Sequence, residues 1–173
     1  MRRGTWLGGL LVGLLLWMSC SGKPQEIDYG RDLCTFCKMA ITDPRYAAEI
    51  VTRKGRVYKF DSIECMMAAT LDGTVDPAEV KAYWVKDWAT RKWIPAEKAY
   101  YLQSTKLRSP MGLNISAFAT RKALEDAKQQ FDGLELTFED LPNVIRESNF
   151  LRHAQERMRM MRMPMNTETP AKP

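Results

Sequence analysis

The sequence predicts an α+β domain: two β-β-α-β halves on a mainly antiparallel sheet, then a C-terminal helix and a flexible tail. Three observations predict it. Short runs of β-forming residues alternate with turn residues. Two of those runs, 57–60 and 113–118, lead straight into capped helices. Beyond Pro142, apolar residues recur at spacings of three and four.

Residues 47–52 and 57–60 are rich in β-formers and flank Arg53-Lys54-Gly55-Arg56, a hairpin turn. Asp61-Ser62-Ile63-Glu64 has the spacing of a capping box, with Asp61 as the cap and Glu64 three residues on. It opens a helix over 62–71 that carries Cys65, and Asp72-Gly73 closes it. Residues 81–85 form the next strand. The order then repeats. Strands at 99–104 and 113–118 precede a helix capped by Thr120 that runs to Phe131, where Asp132-Gly133 ends it. In the strand over 134–138, Leu134, Leu136 and Phe138 alternate with polar residues. The repeated order reads as an internal duplication. Pro142 suits the first turn of a third helix. Leu151, Ala154, Met158 and Met161 line one face of it, and Pro164 stops it. Residues 166–173 read as disordered.

The N-terminus addresses the chain to a membrane. Met1-Arg2-Arg3 is a basic n-region, and residues 6–18 are an apolar stretch too short to span a bilayer comfortably. It runs into Leu16-Trp17-Met18-Ser19-Cys20, which resembles the lipobox of bacterial lipoproteins, although Trp17 is unusual at its position. Cleavage before Cys20 would leave that residue as the lipid-bearing N-terminus. An ordinary signal peptide is the alternative. Ser21 in place of Asp after the Cys points to the outer membrane. Residues 21–33 are polar, carry Gly and Pro, and read as a flexible tether. The domains expected are therefore a signal peptide at 1–19, an anchor and tether at 20–33, a globular domain at 34–141, and a helix with a Met-rich tail at 142–173.

The compartment is extracytoplasmic and oxidising, where disulfides persist. Without Cys20, three of the four cysteines remain: Cys34, Cys37 and Cys65. An odd count fits thiols held by a metal, or one disulfide plus a free thiol. The formal net charge of +5 includes Arg2 and Arg3, which leave with the signal. What remains is no nucleic-acid footprint, and no aromatic-basic stripe is present.

The chemistry concentrates at Cys34-Thr35-Phe36-Cys37-Lys38-Met39. Two thiols and a thioether are soft donors that suit Cu(I). On an extended backbone, Cys37 and Met39 would share a face and reach one ion. A Cys-x-x-Cys is equally a zinc half-site or a redox pair, and Met39 could be core packing. Cys65, beside Met66 and Met67, has a bland reading as a small buried hydrophobe. Asp61 reads as a helix cap rather than a ligand. His153, the one histidine, sits on an Arg-rich helix and reads as solvated. Met158, Met160, Met161, Met163 and Met165 form a tract that could collect Cu(I) or pack as an amphipathic tail.

These pieces together resemble the NosL family of copper-binding lipoproteins. The carriers are Cys34-Thr35-Phe36-Cys37-Lys38-Met39-Ala40-Ile41, Arg45-Tyr46-Ala47-Ala48-Glu49-Ile50, Val57-Tyr58-Lys59-Phe60-Asp61-Ser62-Ile63-Glu64-Cys65-Met66, Ser109-Pro110-Met111-Gly112 and Ala117-Phe118. The resemblance implies two β-β-α-β halves, distantly similar in fold to organomercurial lyase. It implies a Cu(I) chaperone, not an enzyme, that serves assembly of the copper centres of nitrous-oxide reductase beside an ABC-type maturation complex. It carries Cys37 and Met39 onto the family's Cys-x-Met and Met111 onto its Met-Gly element. Cys34 and Cys65 are further candidates. Lys38 stands where many members have Gly. The competing reading is a periplasmic thiol-disulfide oxidoreductase using Cys34 and Cys37. Such enzymes place the pair at a helix N-terminus in a βαβ context, whereas this pair precedes a β-hairpin.

Overall fold

The structure, a computed structural model, describes residues 22–162. The expected signal peptide, Cys20 and the tail beyond Arg162 lie outside the described residues. Among the described residues, seven strands and four helices follow in order: β1 (Ala48–Thr52), β2 (Val57–Phe60), α1 (Ile63–Leu71), β3 (Val80–Lys86), β4 (Trp93–Pro95), β5 (Tyr100–Gln103), β6 (Ile115–Phe118), α2 (Arg121–Phe131), β7 (Leu134–Leu136), α3 (Leu141–Glu147) and α4 (Phe150–Arg162). The class is α+β, and the strands form two antiparallel sheets.

The first sheet has the order β2-β1-β3-β4 and the second β6-β5-β7. In each, the first strand of a β-β-α-β unit is central, with the second and third on its two sides. The two halves therefore repeat their topology as well as their element order. β4 is an addition that the sequence hid. It is three residues long and ends in Pro95, which is compatible only with a sheet edge or strand end.

Register divides the first sheet into two faces. Ala48, Phe60 and Val85 are paired neighbours, fully buried in the main core. Glu49, Lys59 and Trp84 make the adjacent row and point to the other face. α1 packs on β1 and β2 from the core side and is covered in turn by α3. Seven successive residues, Ile63 to Ala69, are buried, so α1 is enclosed on all sides. A smaller core of Leu102, Leu107, Phe118, Leu124 and Ala127 lies under α2.

The helix expected from Pro142 onward is broken. Asn149 takes φ 55° between α3 and α4, the left-handed conformation that ends helices. The stripe persists on α4: Ala154 is buried, and Leu151 and Met158 pack against the main core.

Residues 22–28, read as tether, are strapped across the outer face of the sheet. Trp84 Nε1 donates to the Gly22 carbonyl at 2.8 Å. The Gln25 N–H donates to Glu49 Oε2 at 2.8 Å. Lys59 Nζ donates to the Glu26 carbonyl at 2.8 Å. These three anchors are the cross-strand row just named, so the strap runs perpendicular to the strands. Ile27 then joins the main core.

Candidate metal centre

Three chain segments converge beyond the end of β2. The 34–39 loop is closed by the Cys34 N–H to the Met39 carbonyl at 2.8 Å and the Lys38 N–H to the Cys34 carbonyl at 3.0 Å. Its Thr35 N–H reaches the Lys59 carbonyl at 2.7 Å, which docks the loop against β2. β2 leads into Asp61, and one turn of α1 later comes Cys65. Ser62 caps that helix: its hydroxyl accepts from the Cys65 N–H at 3.2 Å. The expected capping box is thus displaced by one residue. Asp61 is not the cap, and its carboxylate is spared for the site.

The result is a cluster of Cys34, Cys37, Cys65 and Asp61, whose donor atoms all lie within 4.8 Å of one another. Two sulfurs on one ion, at a metal–thiolate length of about 2.3 Å, stand no more than about 4.6 Å apart. A linear pair thus needs a shift of a few tenths of an ångström, whereas three thiolates around one ion stand about 4.0 Å apart and need a contraction of up to about 0.8 Å. The three thiols are free, with no disulfide between them. Cys34 and Cys65 are fully buried and Cys37 is 4% exposed. The cluster is thus enclosed by the fold.

Electrostatics single out one thiolate. Burial opposes ionisation of Cys34, but the thiols of Cys37 and Cys65 and the backbone of Asp61 and Cys37 bond to it and pull its pKa far below the usual thiol range. Cys37 is raised, chiefly by its hydrogen bond to Cys34. Cys65 is raised by burial and by the same kind of bond. Burial and the Cys34 charge push Asp61 up to about 7. Cys37 Sγ donates to Asp61 Oδ2 at 3.4 Å, while Asp61 Oδ1 is buried with no partner. In the metal-free cluster Cys34 is the group most readily ionised, and the single Cys37 proton is shared between Cys34 and Asp61.

The sequence argument for Met39 needs revision. Lys38 takes φ 65°, so the chain turns between Cys37 and Met39 and the two do not share a face by strand alternation. Met39 is half-buried against the main core. Met111 is 8% exposed and lines a cavity of about 210 Å³ with Phe150, His153 and Arg157 among others. Phe150 stacks on Phe36 at 6.3 Å between centroids, so the cavity adjoins the thiol loop. His153 is exposed on α4. Met158 packs on the main core, as its place in the apolar stripe suggests.

Glu64 is a residue that sequence reasoning assigned to a cap and the structure places elsewhere. It is fully buried, and Ser109 donates a short hydrogen bond to its Oε1. Burial raises its pKa. The same Ser109 hydroxyl accepts from the N–H groups of Gly112 and Asn114 at 3.2 and 2.9 Å. Glu64 thereby ties the Met111 loop to the helix turn that carries Cys65. A lone carboxylate in the apolar run Ile63-Glu64-Cys65-Met66-Met67 was the available signal.

Comparison with known proteins gives the family and the fold. The NosL family profile matches residues 24–145. The copper-binding lipoprotein NosL of Stutzerimonas stutzeri is 27% identical over 165 residues, spanning 84% of this chain and 86% of the relative. The crystal structure of the copper chaperone NosL from Shewanella denitrificans aligns with a TM-score of 0.61 at 25% identity, covering 69% of this chain and 95% of that one.

Proposed function

The chain belongs to the NosL family, and we propose that it is a lipid-anchored Cu(I) chaperone that delivers copper for assembly of the copper centres of nitrous-oxide reductase. Three buried thiols within 4.8 Å of one another carry this reading. Thiolates are soft ligands that select Cu(I) over hard cations. The names of the relatives, a copper-binding lipoprotein and a copper chaperone, support copper as cargo and a role without turnover.

Charge decides how the cargo is held. Copper on two thiolates leaves a net charge of −1, and a third thiolate makes it −2. Each uncompensated buried charge costs several kcal/mol. Cys34 and Cys37 therefore serve as the thiolates. Cys65 stays a thiol beside them, and the neutral thioethers of Met39 and Met111 serve as exchange donors on the loops next to the cluster. Lipidation at Cys20 holds the domain at the periplasmic face of a bacterial membrane, where the reductase and its ABC-type maturation complex are the partners. Tethering raises the local concentration of the carrier.

The oxidoreductase alternative is disfavoured by access. A substrate disulfide must reach the attacking sulfur, and the low-pKa thiol, Cys34, is fully buried. The test is a deletion strain grown at limiting copper. It should make reductase polypeptide short of copper, and added copper should relieve the defect by mass action. A deletion strain with fully copper-loaded, active reductase at limiting copper refutes the role.

A further inference from the structure

We infer that the groove between Trp88 and the 104–114 loop is the docking site for an acidic segment of a protein partner, one that sets Asp or Glu beside an aromatic residue. The inference rests on the reading of the chain as a copper carrier. It adds to that reading the chemistry by which a recipient is recognised.

The first observation is charge. The groove holds about 420 Å³, and Arg45, Lys106 and Arg108 line it with Trp88, Leu107 and Phe131. Among the described residues, no carboxylate lines it. Lys106 and Arg108 are exposed, and neither side chain has a bonded partner among the described residues. The neighbouring carboxylates are engaged. Asp43 accepts from Nε and Nη2 of Arg45 at 3.0 and 2.6 Å. Asp87 is buried and accepts from the N–H groups of Thr90 and Ala119 at 2.9 Å each. Asp132, exposed after Phe131, accepts from the Gly133 N–H at 2.8 Å. Arg91 and Lys92 are exposed on the turn after Asp87, so five cations stand against these three carboxylates. The groove is basic, and its complement is an anion.

The second observation is that the groove is set in place before anything binds. Leu107 is buried, which turns its neighbours Lys106 and Arg108 outward from a fixed base. The Leu107 N–H donates to the Ser104 carbonyl at 3.0 Å, and the Ser104 hydroxyl donates to the Phe131 carbonyl at 2.9 Å. The loop is thereby tied to the end of α2. The Arg45 guanidinium stands 5.6 Å from the Tyr46 ring and 5.9 Å from the Trp88 ring, with Nη1 not bonded to Asp43. Trp88 meets Phe131 edge-on at 5.4 Å. Ordering a surface costs less on binding when the surface is already ordered. Guanidinium groups bond carboxylates, and the Trp88 and Phe131 rings offer an aromatic side chain a partner beside them.

The third observation is place. The loop that carries Lys106 and Arg108 also carries Ser109, which bonds Glu64, the residue before Cys65. Ala48 at the start of β1 pairs with Phe60 and Val85. Arg45 precedes Ala48, Asp61 follows Phe60 and Trp88 follows Val85, all within three residues. The groove and the thiol cluster therefore share one end of the first sheet. A partner held by its acidic segment in the groove is held next to the copper.

The test uses the full chain in uncharged detergent micelles and a fluorescein-labelled peptide of alternating Glu and Phe, followed by anisotropy and corrected against empty micelles. Lys106→Glu/Arg108→Glu should weaken the peptide about tenfold, as two exposed ion pairs become repulsions. Lys54→Glu/Lys122→Glu makes the same change of charge in the β1–β2 turn and on α2, and should leave binding unchanged. Ala in place of Phe in the peptide should weaken it about threefold. No binding at about 1 mM peptide, equal losses from the two double variants, or equal binding of the two peptides overturns the inference. Tighter binding of short-chain phosphatidylglycerol than of the peptide assigns the groove to lipid headgroups and overturns it as well. In cells at limiting copper, Lys106→Glu/Arg108→Glu should keep the parent's Cu(I) stoichiometry and leave the reductase short of copper. Fully loaded reductase in that strain, beside a deletion strain short of copper, overturns the inference. Fully loaded reductase in the deletion strain refutes the carrier role instead, so the two failures are distinguishable.

Discussion

Cu(I) affinity should rise with pH at a rate of one proton per copper. In the metal-free cluster, Cys34 is the thiolate, and Cys37 and Cys65 hold their protons. If copper takes two thiolates, Cys37 must give up its proton when the metal enters. Each displaced proton makes binding about tenfold tighter per pH unit. From about pH 6 to about pH 8 the affinity should therefore increase about 100-fold, or close to 3 kcal/mol. The assay is competition against a colorimetric Cu(I) chelator under reduction. Parent and variants are compared against the same chelator, so its own titration cancels. Asp61, pushed up to about 7, titrates inside the window, and an Asp61→Asn background removes its contribution. Cys37→Ser should flatten the slope. A parent affinity that does not change with pH refutes the proton assignment. A slope of two refutes the two-thiolate charge argument, because Cys65 would then ionise as well.

Four further outcomes are expected. Cys37→Ser should weaken Cu(I) more than Cys65→Ser does, and Met39→Ala and Met111→Ala should each weaken it without unfolding the domain; parent-like Cu(I) binding by Cys37→Ser would show the ligand assignment to be wrong. Glu49, buried under the strap with Oε1 unpartnered, is raised from 4.5 to about 7 by burial. Its contribution to stability is full below about pH 4.5 and is lost as pH rises through 7, so copper-free protein should lose about 1–3 kcal/mol across that window, with a smaller loss for Glu49→Gln in denaturant titrations. Ser109→Ala removes the short hydrogen bond to the buried Glu64 carboxylate and should cost about 1–3 kcal/mol, and an unchanged melting temperature would contradict it. Lys38→Gly relieves a left-handed backbone worth about 1 kcal/mol, so a variant no more stable than the parent would show that the loop is not strained there.

The sequence made the repeated β-β-α-β order legible because its signals are local: alternation in the strand at 134–138, caps before each helix, Gly after them. It also made the cysteines legible, since their chemistry needs no fold to be suspicious. Asp61 was misassigned because Asp61 and Ser62 are adjacent and either can cap a helix. Only the backbone placement of Ser62 decides between them. The strap was read as tether because polar composition is the usual mark of a linker. Its anchors are two backbone carbonyls and one N–H, which carry no side-chain signature. The break at Asn149 was hidden because α4 continues the apolar periodicity of the segment before it. Met39 was argued from strand alternation, and a single left-handed residue at Lys38 cancels that argument.

On the proposed reading, a carrier with buried ligands would have to open to exchange its cargo, and the fold indicates where. Cys34 is pinned from several sides, with its backbone in the loop closure and its sulfur between the other two thiols. Cys65 is fixed in the first turn of a helix enclosed by the sheet and α3. Neither moves without disrupting the main core. Cys37 is the most exposed of the three thiols, and it stands on a loop with Lys38 in a left-handed conformation and Met39 half-buried beside it. The outer wall of that loop is the stack of Phe36 on Phe150 at the start of α4, next to the Met111 cavity. α4 begins immediately after the break at Asn149, so it is held to α3 by a turn and not by a continuous helix. Displacing its first turn uncovers Phe36, the residue before Cys37, while leaving Cys34 and Cys65 in place. A partner's donor would then replace Cys37 first, with the metal still held by Cys34. Ligand exchange one donor at a time keeps copper from being released free into the solvent.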